Sequence, residues 1–175
     1  MTGPAVSGAM AARLRLVEQH VSLENAHDLD GIMGTFGDAA QYDDEPWDAH
    51  YRGRQEVRAF YQQLLEAMPD LRIDIRSTYA ADEVIVLEVV IHGHHLGMWR
   101  GLPATGREVV LPLCGIYTFD QANQLAGERI YYDRASVLRQ LGVFHEPESW
   151  LGRITTALTH PVTMAQVIAR RLAGR

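Results

Sequence analysis

Apolar residues recur every three or four positions in the first third of the chain, which is the period of an amphipathic helix. This period predicts helices over residues 14–27 and 54–68. Between them, residues 28–38 combine apolar positions with three glycines and predict a short, interrupted helix. Residues 39–47 predict a short strand that stops at Pro46. The first part of the chain is therefore expected to be mainly helical.

From residue 71 onward, apolar and polar residues alternate with a period of two, as in strands with one solvated face. The linker at residues 98–107 holds the glycines and the proline that are typical of a hairpin loop. After the last strand, residues 134–142 predict a helix with Gly142 as its stop signal. The segments predicted as strands are residues 71–80, 83–97, 107–120 and 124–133.

Helices followed by an antiparallel meander of long strands predict an α+β domain. A bent sheet wrapped around a helix leaves one end open as a pocket. We assign residues 1–13 to a flexible N-terminus, residues 14–143 to this domain and residues 144–175 to a C-terminal helical extension. The extension is expected to pack on the sheet or on a partner subunit.

The composition adds limits on function. With 47% hydrophobic residues, 22% charged residues and a formal net charge of -6, the chain has the composition of a soluble globular protein without a basic field for nucleic acid. We see neither a signal peptide nor an apolar run long enough to cross a bilayer, so we expect a cytoplasmic protein with no membrane partner. The single cysteine, Cys114, cannot form an internal disulfide and is expected to be a buried small hydrophobe.

Asp133 stands where the strand-like sequence IYY turns into the helix-like sequence RASVLRQLG. One interpretation makes it the N-cap of that helix, because a carboxylate accepts hydrogen bonds from first-turn N–H groups. The other makes it an acid/base catalyst, which requires burial against apolar groups to raise its pKa. By strand alternation Tyr131 and Arg129 share its face, and an ion pair with Arg129 would favour a structural role.

The histidine cluster HGHH gives a second candidate. His92 and His94 fall on one face of the strand and His95 on the other, so the three rings are not expected to converge on a metal ion. His95 either donates a hydrogen bond to a substrate oxygen or orients Asp133. The alternative is a hairpin-end histidine satisfied by the backbone.

The segment YDDEPWDAHY, residues 42–51, groups acidic and aromatic side chains. Charge runs of this kind are usually solvated loops. As the mouth of a pocket, the segment would instead supply Tyr42 and Trp47 as aromatic walls and Asp43 as a further carboxylate. Trp99, at the tip of the later hairpin, is expected to be a lid or an oligomer contact.

Two segments carry a family resemblance: GHHLGMWRGLPATGREV at residues 93–109 and ERIYYDRASVLRQLG at residues 128–142. Together they resemble the SnoaL-like polyketide cyclase, or ester cyclase, family, whose members have a Gly-x-Pro-x-Thr-Gly hairpin and a last strand ending in Asp before a Gln-Leu-Gly helix. His94 departs from the family pattern, which usually has Thr there. The resemblance covers roughly residues 14–143 and implies the cone-shaped barrel of nuclear transport factor 2-like proteins, with a bent antiparallel sheet packed on N-terminal helices.

The resemblance implies a cofactor-independent acid/base enzyme for a small hydrophobic or aromatic carbonyl compound, typically performing an intramolecular aldol cyclisation. Asp133 would be the base and His95 its helper. The same fold serves epoxide hydrolases and epoxide-opening cyclases, ketosteroid isomerases, and non-catalytic binding or assembly modules. A homodimer or homotetramer is also implied. The substrate-binding candidates are Tyr42, Asp43, Trp47, His94, Trp99 and Tyr131.

Overall fold

The structure of the protein is a computed structural model that describes residues 8–81 and 83–174. This part of the chain contains six α-helices and six β-strands, and it confirms the α+β class. The helices are α1 Gly8–Asn25, α2 Leu29–Thr35, α3 Gly53–Ala67, α4 Arg134–Gln140, α5 Trp150–Thr159 and α6 Pro161–Ala173. The strands are β1 Phe36–Asp44, β2 Ala49–Arg52, β3 Arg72–Ala81, β4 Val84–His94, β5 Glu108–Phe119 and β6 Leu125–Tyr132.

The strands form one curved, unclosed sheet in the order β2-β1-β6-β5-β4-β3. Strands β3 to β6 are the predicted antiparallel meander. Strand β1 corrects the all-antiparallel expectation, because it pairs parallel with β6. Parallel neighbours need a long connection, and here the chain passes through β2, α3 and the three strands β3 to β5 before β6 returns to β1.

The core lies between the first three helices and the sheet. Helix α3 buries Val57, Phe60 and Tyr61, which follow the helical period seen in the sequence. The ring of Phe60 stacks on Tyr42 of β1, with 4.0 Å between the ring centroids. Burial of these large apolar side chains provides the main favourable free energy of folding.

The N-terminal boundary differs from the prediction. Helix α1 begins at Gly8, ahead of the predicted start at Leu14, so residues 8–13 are helical. The remainder of the predicted flexible segment, residues 1–7, lies outside the described residues.

Strand β2 was not predicted. It lies in the acidic and aromatic segment and pairs antiparallel with β1. A short 3₁₀ helix, Glu45–Trp47, connects the two strands. The pairing makes most of this segment part of the sheet rather than a solvated loop, and Tyr42 and Tyr51 of the segment pack on Phe60 of α3.

The C-terminal extension contains two helices instead of one. Pro161 starts α6, because proline cannot continue the preceding helix α5. Apolar side chains on both helices are exposed, including Trp150 at 70%, Leu158 at 75% and Leu172 at 71%. Among the described residues, no helix combines the length and the apolar character needed to cross a bilayer.

Candidate active site

An apolar cavity of about 70 Å³ lies between α3, α4 and the concave side of the sheet. Aliphatic and aromatic side chains form most of its wall, and the polar groups are few. Such a lining suits a hydrophobic ligand that is oriented by one or two polar contacts. The lining includes Tyr42, Asp44, Phe60, Leu64, Met68, His95, Trp99, Leu111, Ile130, Tyr132, Val137 and Leu141.

Asp44 is the carboxylate of this cavity. Alternation along β1 turns Tyr42 and Asp44 to the inner side, where Asp44 is 1% exposed. Its Oδ2 accepts hydrogen bonds from Arg100 Nη2 at 2.5 Å and from the Tyr132 hydroxyl at 3.4 Å. Its Oδ1 is buried and has no hydrogen-bond partner among the described residues. Burial raises the pKa of Asp44 even though Arg100 opposes the shift.

Arg100 reaches Asp44 from the tip of the loop between β4 and β5. Trp99 and Leu102 exchange backbone hydrogen bonds of 3.0 and 2.8 Å, which closes a two-residue turn. Arg100 and Gly101 both have positive φ in this turn, at 48° and 81°. Glycine accepts that conformation without strain, whereas arginine does so only where other contacts hold it. The ion pair with Asp44 is one such contact.

His95 is the second polar residue of the cavity and is 2% exposed. The backbone N–H of Thr105 donates to His95 Nδ1 at 3.2 Å. Because Nδ1 accepts in this bond, the neutral ring carries its proton on Nε2. Nε2 is buried without a partner among the described residues. Burial lowers the pKa of His95, so the ring stays neutral at physiological pH and offers an N–H donor.

Asp133 does not lie in this cavity, and the expectation that it is a shielded pocket carboxylate is corrected. Its side chain is 61% exposed. Oδ1 accepts from Ala135 N at 2.9 Å as the N-cap of α4, and Oδ2 pairs with Arg139 at 3.2 Å. The cause is strand alternation, because Ile130 and Tyr132 take the inner face of β6.

Tyr131 is corrected for the same reason. It is 44% exposed on the outer face of the sheet, next in the strand to the inward-facing Tyr132. Its neighbour Arg129 pairs with Asp43 and Glu45 at 3.6 and 3.2 Å, and not with Asp133.

Asp43 and His94 also lie away from the cavity. Asp43 faces the outer side of β1, where it pairs with His50 and Arg52 at 2.8 and 2.6 Å. Burial favours a higher pKa for Asp43, but these two partners outweigh it and lower the pKa. The His94 ring pairs with Asp70 at 2.7 Å on the surface. Neither side chain is placed to contact a ligand in the cavity.

Tyr42 and Trp99 line the cavity, and Trp47 lines a second pocket beside it. We name this second space the outer pocket; it has a volume of about 300 Å³. Trp99 belongs to both walls and separates the two spaces, together with Val137 and Leu141. The roles of these aromatic residues in substrate binding stay predictions. The outer pocket is formed by Trp47, Trp99, Arg100, Leu102, Leu138 and Val143, with Gly101, Val137 and Leu141.

Three site residues were missed by the sequence analysis: Asp44, Arg100 and Tyr132. Period-two alternation is a signal that pairs Asp44 with Tyr42 on one face of β1, and Tyr132 with Ile130 on one face of β6. No comparable signal exists for Arg100, because a turn conformation directs it to Asp44 across a long sequence separation.

A second cluster of titratable groups is buried on the far side of the core, between α1, α3 and the sheet. We name it the buried polar cluster: His20, Glu24, Tyr61, Tyr117 and Glu128. The hydroxyls of Tyr61 and Tyr117 donate to Glu128 at 2.5 and 3.2 Å. Glu24 Oε2 has no partner among the described residues.

The hydrogen bonds of this cluster assign its protons. Tyr61 uses its single hydroxyl proton toward Glu128, so His20 Nε2–H must donate to the Tyr61 oxygen at 3.0 Å. Thr35 donates to Ile32 O, so His20 Nδ1–H donates to Thr35 at 2.7 Å. His20 is therefore a doubly protonated cation.

The electrostatics agree with that assignment. Burial opposes the charged form of His20, but Glu24 and Glu128 outweigh it and raise its pKa. Burial also raises the pKa of Glu24 to about 8, and the positive charge of His20 opposes this rise. His20, Glu24 and Glu128 also present ligand atoms within 4.8 Å of one another, a donor set that suits a divalent transition metal. The Tyr61 hydroxyl lies between His20 and Glu128 and already satisfies both.

Comparison with known proteins decides the family. The profile of the SnoaL-like polyketide cyclase family matches residues 14–141, which is most of the chain. The chain belongs to the SnoaL-like polyketide cyclase family. This confirms the resemblance drawn from the hairpin and last-strand motifs. Among functionally curated proteins no significant relative was found.

Solved structures of SnoaL-like proteins share the fold. AclR from Streptomyces galilaeus, for which a hydroxylase activity has been suggested, is 23% identical, with a TM-score of 0.68 over 78% of this chain and 99% of its own. A proposed SnoaL-like polyketide cyclase from Jannaschia Sp. CCS1 is 18% identical, with a TM-score of 0.73 over 79% and 97% of the two chains. The epoxide hydrolase/cyclase-like enzyme SalBIII has a role in pyran ring formation in the polyether salinomycin. It is 15% identical, with a TM-score of 0.63 over 72% of this chain and 94% of its own. At these identities the similarity establishes the fold.

Proposed function

We propose that the protein is a cofactor-independent acid/base enzyme that removes a proton beside a carbonyl group of a small hydrophobic compound, leading to intramolecular aldol cyclisation. The supporting observation is the pair of unpartnered buried atoms, Asp44 Oδ1 and His95 Nε2, in residues that line one apolar cavity. An unpaired buried donor or acceptor costs about 1–3 kcal/mol. A bound carbonyl substrate would accept the hydrogen bond of His95 Nε2 through its oxygen and place its acidic C–H bond beside Asp44 Oδ1.

Each residue has a defined step in this reaction. Asp44 takes the proton from the carbon, and the His95 N–H donates a hydrogen bond to the enolate oxygen as negative charge develops there. The enolate carbon then attacks a second carbonyl of the same molecule, and Asp44 returns the proton to the new alkoxide. Arg100 and Tyr132 hold Asp44 in place. The apolar wall keeps the pKa of Asp44 raised, which makes it a stronger base than an exposed aspartate.

Deuterium exchange at the carbons beside the carbonyl of β-tetralone tests the first step without knowledge of the natural substrate. NMR in heavy water should show exchange accelerated by the wild-type protein. Asp44→Asn should reduce this acceleration by about a hundredfold or more. Asp133→Asn is the matched control and should leave it unchanged. Circular dichroism of each variant verifies the fold. Equal rates in wild type and Asp44→Asn would remove Asp44 as the base.

Epoxide opening is a second candidate reaction for the same residues. Asp44 has one oxygen held by Arg100 and Tyr132 and the other without a partner, as a carboxylate that activates water or a substrate hydroxyl would require. The two candidate reactions can therefore be separated by testing styrene oxide and β-tetralone as substrates. Diol formation without ketone exchange, lost in Asp44→Asn, would favour epoxide chemistry.

We also propose that two copies of the chain associate through the C-terminal helices. Both helices carry exposed apolar side chains, including Trp150 and Leu158. Residues 150–175 contain four arginines and no acidic residue, while the whole chain has a net charge of -6. The remainder of the chain is therefore strongly acidic. This charge difference favours docking of the helices of one copy on the body of another.

A further inference from the structure

A positive charge beside the outer pocket, that of Arg134, has no role in the proposed chemistry. The guanidinium of Arg100 lies 4.8 Å from the ring centroid of Trp47 and 5.2 Å from that of Trp99. The guanidinium of Arg134 also lies 4.8 Å from the Trp47 ring. Both guanidinium groups thus contact the indole of Trp47: Arg100 lines the outer pocket, and Arg134 lies beside the pocket, against Trp47 of its wall.

Only one of these cations forms a salt bridge within the described part of the chain, although the charge of Arg134 also acts on Asp44 and opposes the rise in its pKa. Arg100 pairs with Asp44, whereas Arg134 forms no salt bridge there. Arg100, Arg134 and an ionised Asp44 together therefore carry a net charge of about one positive unit beside Trp47, in a protein that is acidic as a whole. A guanidinium stacked on an aromatic ring keeps its N–H donors free in the ring plane, in the geometry that binds carboxylates.

The two pockets adjoin, so one molecule can occupy both. Trp99, Val137 and Leu141 belong to both walls. The inner cavity takes an apolar group, and the outer pocket has Arg100 in its wall and Arg134 at its edge, against Trp47. This arrangement suits an amphipathic ligand with an apolar body and a charged end.

We propose that the outer pocket binds the carboxylate of the substrate through Arg134, with the apolar part of the same molecule in the inner cavity. The substrate class is then a hydrophobic keto acid with one negative charge, which matches the one unneutralised cation. This inference rests on the proposed function, since it places the reacting part of the molecule beside Asp44.

Hydrocinnamate and benzylacetone form a matched pair of probes, because they share a phenylethyl body and differ in carrying a carboxylate or a methyl ketone. Titration of tryptophan fluorescence with each probe measures the two dissociation constants. In the wild-type protein we expect hydrocinnamate to bind about tenfold more tightly, as one charge-assisted hydrogen bond would provide. Arg134→Gln should abolish this preference and leave benzylacetone binding unchanged.

Arg76→Gln is the control, because it removes the same charge from an exposed position on β3, outside both pockets. It should leave both constants unchanged. Equal binding of the two probes to the wild type, persistence of the preference in Arg134→Gln, or absence of binding at millimolar concentrations would each overturn the inference.

The two proposals fail in different ways. If Asp44 is not the base, Asp44→Asn still exchanges β-tetralone, and the preference for hydrocinnamate persists. If the outer pocket does not bind carboxylates, Asp44-dependent exchange of neutral ketones remains while the preference is absent.

Discussion

Asp44, at the end of β1, and His95, directly after β4, line the same apolar cavity, and each keeps one buried polar atom without a hydrogen-bond partner in the described structure. One atom is a carboxylate acceptor, and the other is an imidazole N–H donor because Thr105 occupies the second ring nitrogen. A single carbonyl compound can present its acidic C–H bond to the acceptor and its oxygen to the donor. The predictions on catalysis follow from this arrangement.

The rate of β-tetralone exchange should depend on pH through Asp44. The carboxyl must be ionised to act as a base, and its pKa is raised, so exchange should fall as pH decreases through a value above the ordinary 3.8 of aspartate. The exchange rate, measured from acidic to neutral pH, tests for this decrease, which we call the acid limb of the profile. A limb at or below the ordinary aspartate pKa would show that Asp44 is not a shielded base.

Replacement of His95 by phenylalanine should slow exchange by about a hundredfold, because the enolate oxygen loses its hydrogen-bond donor. The acid limb should remain, since Asp44 is still present. Comparison of the pH profiles of wild type and His95→Phe separates this effect from a change in the base. A profile with no acid limb would mean that His95 itself is the titrating group.

Substitutions at Asp133 should change stability and leave catalysis intact. Asp133→Ala removes the N-cap of α4 and should lower the free energy of unfolding by about 1 kcal/mol, whereas Asp133→Asn retains a capping oxygen and should cost much less. Urea denaturation measures both values. The assignment of Asp133 as a cap fails if Asn and Ala destabilise the protein equally.

The buried polar cluster should make the protein less stable as pH rises from about 4.5 to 8. The folded-state pKa of Glu24 is raised from 4.5 to about 8, so over this interval the folded state binds a proton that the unfolded state has lost. For one proton the free energy of unfolding should fall by roughly 1.4 kcal/mol per pH unit. His20, whose pKa is also raised, adds a loss in the same direction above its ordinary value of 6.5.

Glu24→Gln isolates this contribution, because glutamine resembles the protonated acid and does not titrate. Urea denaturation at pH 5 to 8 should give a shallower decline for Glu24→Gln than for wild type. Glu88→Gln, on an exposed position of β4, is the matched control and should follow the wild-type curve. Parallel curves for wild type and Glu24→Gln would show that Glu24 is ionised in the folded protein.

Association through the C-terminal helices should be sensitive to charge on their apolar faces. The double substitution Leu158→Glu and Ile168→Glu places acid at two exposed positions and should convert a dimer into a monomer. Multi-angle light scattering measures the mass. Met98→Glu, at an exposed apolar position in the loop between β4 and β5, is the control. A monomeric wild type would reject the proposed association.

Much of the fold could be predicted because periodicity is a local property. The apolar spacing in α3 and the alternation in β4 are set by residues a few positions apart, and the structure has both elements close to their predicted bounds. The short strand β2 escaped prediction because its stability comes from pairing with β1 and not from its own composition.

The candidate site was only partly predictable. His95 and Tyr42 lie in the cavity, where the family motif and the aromatic segment placed them. Asp133 does not, because a strand-end carboxylate that follows an inward-facing residue turns outward and caps the next helix. The sequence is compatible with Asp133 as a pocket carboxylate and as a helix cap, and only tertiary packing decides between the two.

What the sequence alone determined is the order of helices and strands, the α+β class and the family, all of which depend on short-range periodicity and contiguous motifs. The tertiary structure decided which carboxylate lines the apolar cavity. Asp43 and Asp44 are adjacent in sequence and chemically identical, yet one pairs with arginine on the outer face and the other enters the apolar cavity. Register and sheet curvature make that choice, since burial depends on neighbours that are far apart along the chain.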